Sequence, residues 1–151
     1  VTYLPPYFDF YLNTLKDLLS RGIVTKEMSV LVVCGGETDR EVFKRLGFSD
    51  VTITNVDYQW AEDDMAPFRW EPQDAENLNY PDNSFDVAVV CAGLHHCHSP
   101  HRALLELFRI ARYCALALEA RDSLLSKIAE RLKVADEYDL SGVMENDYLY
   151  G

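Results

Sequence analysis

Two adjacent glycines, Gly35 and Gly36, follow the apolar run MSVLVVC (28–34) and precede a helix-forming segment. Glycine lets the backbone approach a ligand closely and take positive φ. The free N–H groups at the start of the next helix can receive an anionic group. Cys34 and Glu37 flank this turn and belong to the same candidate site. Asp57 closes the β-branched run VTITNV, 21 residues beyond Gly36. A carboxylate there can accept hydrogen bonds from both hydroxyls of a ribose; the plainer alternative is an exposed turn aspartate. Tyr58 or Trp60 could cover an attached base, or could equally be core. His95 and His96 come soon after a third apolar run, SFDVAVVC (84–91). Histidine titrates near neutral pH, so either could take a proton from a nucleophile. They could also belong to a polar loop that caps the next helix.

Some chemistries are disfavoured. The stretch from Cys91 to His101 holds two cysteines and four histidines. It lacks a second pair at finger-like spacing, and neighbours on one extended loop cannot easily converge on a tetrahedral ion, so no metal is expected. The dinucleotide fingerprint G-x-G-x-x-G is absent, since Gly36 is followed by Glu37, Thr38 and Asp39. That counts against a nicotinamide-dependent oxidoreductase. With 14 Lys and Arg against 25 Asp and Glu, the formal charge is −11. Such a surface repels phosphate backbones, so small-molecule or protein partners fit better than nucleic acid.

The elements that must position these residues are legible from spacing. A chain of 151 residues, 48% hydrophobic, suits one domain with a substantial core. Phe8, Tyr11, Leu12, Leu15, Leu18 and Leu19 have helical spacing, with Gly22 as the stop. Strands are predicted over 28–34, 51–56, 84–91 and 114–118, with a weak one over 68–70 ended by Pro72. Helices are predicted over 37–46, 100–112 and 121–133. Strands alternating with helices imply a parallel sheet with helices on both faces. The four cysteines show no short-spaced disulfide framework, so free thiols in a reducing cytoplasm are expected. No apolar stretch is long enough to span a bilayer.

The run DAENLNYPDNSFDVAVVCAGLHHCHSPHRALLELFRIAR, 74–112, resembles the middle of a class I S-adenosylmethionine-dependent methyltransferase of the type 11-like kind. The resemblance covers roughly 31–120. It implies a Rossmann-like doubly wound α/β sheet of order 3-2-1-4-5 in one domain over 1–151. It implies S-adenosylmethionine as cofactor and methyl transfer to a small-molecule or protein acceptor by in-line displacement. Asp74, Ala75 and Glu76 would then form the adenine-recognising turn, although Asp74 could instead make a local Asx-turn. Cys91 would lie at the cofactor's sulfur end. His95, His96, Tyr7 and Tyr11 would be candidates for the acceptor side. The first motif departs from the family's pattern: Val32 stands at the usual strand-one acid, and Thr38 where a last glycine is common. Either the cofactor amino group is held otherwise or affinity is reduced. The family's last two strands, expected after Lys133, find no counterpart, so the chain is either part of a longer one or its sheet ends early. A non-catalytic cofactor-binding or interaction domain is the alternative reading.

Overall fold

The structure, a computed structural model, describes residues 5, 7–56 and 62–119. Asp57, Tyr58, Trp60 and the predicted helix 121–133 lie outside the described residues. The order is α1 (Phe8–Ser20), β1 (Val30–Val33), α2 (Glu37–Leu46), β2 (Val51–Asn55), β3 (Arg69–Pro72), β4 (Phe85–Cys91), α3 (Pro100–Ile110) and β5 (Ala111–Leu118). All pairings are parallel, and the sheet runs β3-β2-β1-β4-β5.

Alternation along β1 explains the two layers. Val30 and Val32 face the side covered by α1 and α2, where Tyr11, Leu15, Val42 and Phe43 are buried with Ile53, Val87 and Val89. Leu31 and Val33 face the side covered by α3, against Ala88, Val90, Ala103, Leu107 and Ile110. Burial on both faces is why β1 is uniformly apolar. Tyr11 and Phe43 meet edge to face with ring centroids 6.2 Å apart, locking α1 onto α2.

The limits of α2 match the spacing, because Gly47 adopts φ +77° and closes the helix. Its N–H donates to Lys44 O at 3.1 Å, and the Phe48 N–H donates to Phe43 O at 3.1 Å. Other limits shift for identifiable reasons. β1 begins two residues late because the Ser29 N–H and hydroxyl bond the Asp86 carboxylate at 3.0 and 3.1 Å. It ends early because Cys34 turns to φ +53°. α3 stops at Ile110, since Arg112 reaches Asp86 Oδ1 at 2.8 Å and Asn83 O at 3.0 Å. Those bonds draw Ala111 into register with Phe85, so β5 starts three residues before the predicted Cys114. β3 includes Pro72, paired with Asn55; an edge strand tolerates the missing N–H.

Candidate active site

A cleft of about 860 Å³ opens at the carboxyl ends of β1, β2, β3 and β4. It lies where strand order reverses between β1 and β4, the usual ligand position in doubly wound sheets.

The β1 turn forms one wall. The Gly35 N–H donates to Thr54 O at 2.8 Å, and Asn55 Nδ2 donates to Gly35 O at 3.0 Å. A Cβ on Gly35 would meet Val32 Cγ1 at 2.7 Å and Ile53 Cγ2 at 2.8 Å, so the turn lies flat on the sheet. The β4 turn forms the facing wall. Ala92 takes φ +53°, as Cys34 does on β1. A Cβ on Gly93 would sit 2.5 Å from Cys34 Cβ, so the two strand tips touch only because Gly93 lacks a side chain.

Glu119, just past β5, fixes that second turn. Its Oε1 accepts the Gly93 and Leu94 N–H groups at 2.8 and 2.7 Å, while Oε2 lies 3.0 Å from His95 Nδ1. Burial pushes the Glu119 carboxyl up, but these bonds outweigh it and hold its pKa below the ordinary value.

Of the sequence-predicted residues, Cys34, Gly35, Gly36, Glu37, Asp74, Ala75, Glu76, Cys91 and His96 all line the cleft, as does Tyr7. Asp57 and Tyr58 lie outside the described residues. His95 is not among the lining residues; its ring packs against His96 at a 39° tilt with centroids 4.2 Å apart and turns to Glu119. Tyr11 is fully buried between α1 and α2 and cannot reach an acceptor. Asp74 does make the Asx-turn, with Oδ1 accepting the Glu76 N–H at 2.9 Å, yet it still borders the cleft. Glu76 Oε1 accepts the Ser99 N–H at 3.0 Å and so ties the acidic turn to the start of α3.

Asp39, Asn55, Gln73, Cys97 and His98 also line the cleft and escaped the sequence reading. Asp39 is 6% exposed. Its Oδ2 accepts the Gly36 N–H at 2.9 Å, while Oδ1 has no hydrogen-bond partner. The Tyr11 hydroxyl lies beside this carboxylate without reaching hydrogen-bond geometry. Burial pushes the Asp39 carboxyl up to about 6, against the lowering effect of the Gly36 N–H. An acid three residues after the glycine that starts a helix has capping-box spacing, the one signal that could have flagged it. The thiols are not poised as nucleophiles at β1 and β4. A hydrogen bond with Cys97, and then burial, push Cys34 well up, and burial pushes Cys91 up to about 12. Among the described residues, no group of three or more His, Cys, Asp or Glu could hold a metal ion.

The lining contains four carboxylates, Glu37, Asp39, Asp74 and Glu76, and no lysine or arginine among the described residues. Such a cleft suits a ligand with positive charge and hydrogen-bond donors. Fold and site together define a doubly wound α/β domain with a nucleoside-sized cleft at its switch point. Residues 31–114 match the family described as "Methyltransferase domain", more than half of the chain, and the chain belongs to that family. No curated protein matches it. Among solved structures it is similar to the YcgJ protein of Bacillus subtilis, with 18% identity and a TM-score of 0.60 over 80% of this chain and 57% of that one. It is similar to a SAM-dependent methyltransferase of Thermotoga maritima, with 21% identity and a TM-score of 0.55 over 83% and 67%. It is also similar to the [4+2]-cyclase SpnF, with 23% identity and a TM-score of 0.55 over 66% and 40%. The chain therefore spans between two fifths and two thirds of these proteins' lengths. Family membership implies S-adenosylmethionine as cofactor. The site fits that group: the glycine turns clear its floor, and Asp39 Oδ1 is a buried acceptor without a partner.

Proposed function

We propose that this chain is a S-adenosylmethionine-dependent methyltransferase domain acting on a small-molecule or protein acceptor. The observation that carries the reading is the acidic cleft, free of lysine and arginine among the described residues, in a chain of this family. A nicotinamide dinucleotide brings an anionic pyrophosphate, for which this lining offers no lysine or arginine among the described residues. When bound, S-adenosylmethionine would supply a methyl group activated on a sulfonium, with the neutral thioether of S-adenosylhomocysteine as the leaving group of an in-line displacement.

The chain's own residues bind and orient. Gly35 and Gly36 allow close approach beside β1. Asp74 and Ala75 border the adenine end, and Glu76 anchors that turn to α3. Asp57 is assigned the ribose hydroxyls and Tyr58 the adenine face. Cys91 and Ala92 leave room at the sulfur end. His96 borders the acceptor side, where it can take a proton from a hydroxyl or thiol nucleophile. His95, held by Glu119, supports it by packing its tilted ring against that of His96.

The test is mass spectrometry of the purified protein for S-adenosylmethionine or its demethylated product, followed by calorimetric titration. Asp57→Ala should weaken cofactor binding by more than about tenfold without unfolding the protein. An unchanged dissociation constant removes Asp57 from the site. The second reading is a non-catalytic cofactor-binding domain, favoured by the aliphatic Val32 at the β1 position where the family usually carries an acid. Tight binding without turnover over a broad acceptor panel would select it.

A further inference from the structure

Val32 stands where the family resemblance puts a strand-one acid, so β1 offers no carboxylate to a ligand's ammonium group. A carboxylate nevertheless reaches the same end of the cleft from the first turn of α2. Asp39 is buried and lines the cleft, and one of its oxygens has no hydrogen-bond partner. No lysine or arginine pairs with it among the described residues, and a buried carboxylate left half satisfied is costly.

The other three acids of the lining are placed differently. Glu37 is exposed and lies 3.8 Å from Arg40. Asp74 and Glu76 border the far side of the cleft and are engaged with the Glu76 and Ser99 N–H groups. Of these four acids, Asp39 alone joins burial to an oxygen without a hydrogen-bond partner, beside the Gly35–Gly36 turn.

We propose that Asp39 is the specificity-determining residue that receives the α-ammonium group of the cofactor's methionyl end, in place of a strand-one acid. The assignment rests on the cofactor reading above. Oδ1 is enclosed in the structure and the Tyr11 hydroxyl lies beside the carboxylate, so the carboxylate turns towards the cleft to take the new donor while one oxygen keeps the Gly36 N–H. Burial keeps water from competing for that oxygen, and an ion pair formed there is stronger than one at the surface. Burial raises the proton affinity of this carboxylate, as it does for a desolvated acid beside a ligand site.

The test compares Asp39→Asn with wild type. Asparagine keeps the shape and an oxygen for the Gly36 N–H but loses the charge. Dissociation constants are measured by calorimetry for three nucleosides. S-adenosylmethionine and S-adenosylhomocysteine both carry the ammonium; 5′-methylthioadenosine lacks the amino-acid end altogether. Asp39→Asn should weaken the first two by about 10- to 100-fold and the third by less than about twofold. Asp39→Ser, a second substitution compatible with the helix start, should follow the same order. Equal weakening of all three ligands, or of none, overturns the assignment while leaving the cofactor reading intact. Failure of wild type to bind any of the three overturns both.

Discussion

Asp39 carries a stability cost that can be read independently of any ligand. Its carboxyl is pushed up to about 6 in the folded state by burial, against the ordinary 3.8. The folded state therefore holds the proton more tightly than the unfolded chain between those values. Stability falls as pH rises through that window, and the full penalty is present above about pH 6. The shift corresponds to about 3 kcal/mol. Asp39→Asn should thus be more stable than wild type at pH 7.5, with the advantage shrinking towards pH 4, as measured by chemical denaturation at both values. A constant difference across that range would mean the carboxyl is not perturbed. The glycines give a second residue-scale test. A methyl group on Gly93 would overlap Cys34 Cβ, so Gly93→Ala should cost about 1–3 kcal/mol and weaken cofactor binding. Gly36→Ala meets no atom within 4 Å and should be far milder in thermal unfolding. The place of Gly35, Gly36 and Asp74 in the lining of the cleft was legible from sequence, because turn chemistry is local. That of Asp39 was not, because its burial depends on α1 packing across α2 from another part of the chain.

At the scale of elements, two side-chain clips hold the walls of the site. Glu119 joins the end of β5 to the turn after β4, and Arg109 joins α3 to the segment before β4. Glu119 Oε1 alone accepts two backbone N–H groups. Glu119→Gln should therefore keep the 93–96 turn, while Glu119→Ala should leave both donors without their partner. The expected outcome is faster amide exchange at Gly93 and Leu94 in the alanine variant only. Arg109 donates to Leu78 O at 2.9 Å and Tyr80 O at 2.7 Å, and bridges Glu106 and Asp82. Arg109→Met should cost about 1–3 kcal/mol in urea denaturation, through the backbone carbonyls it abandons. These clips explain which elements could be read and which could not. α2 was legible to the residue because both of its stops are local, the Gly35–Gly36 turn and Gly47. The start of β5 was not, because Arg112 is drawn into the sheet by Asp86 and Asn83, 26 and 29 residues away in sequence. The strand order agreed with the family resemblance, whereas alternation alone indicated only a parallel sheet.

For the whole molecule, charge separates the competing ligands. The chain carries a formal charge of −11, and its cleft repeats that sign with four lining carboxylates. At neutral pH S-adenosylmethionine is a net cation, S-adenosylhomocysteine has no net charge, and NAD is an anion. Long-range attraction should therefore favour the first and oppose the last, on top of any contact in the site. Raising salt shortens the Debye length from about 10 Å at 0.1 M to about 3 Å at 1 M, which removes most of the long-range part. S-adenosylmethionine affinity should then fall with salt more steeply than that of S-adenosylhomocysteine. Ligand binding to the folded state also raises thermal stability, by about 2.7 kcal/mol at a hundredfold excess over the dissociation constant. For a domain of this size that is a shift of about 5–10 °C in Tm. The expected scan shows that shift with either adenosyl ligand and none with NAD at the same concentration. A shift with NAD alone would replace the methyltransferase reading with the oxidoreductase one. Equal salt slopes for the two adenosyl ligands would show that the acidic surface contributes nothing to discriminating the sulfonium, leaving the contacts at the turns of β1 and β4 to account for it.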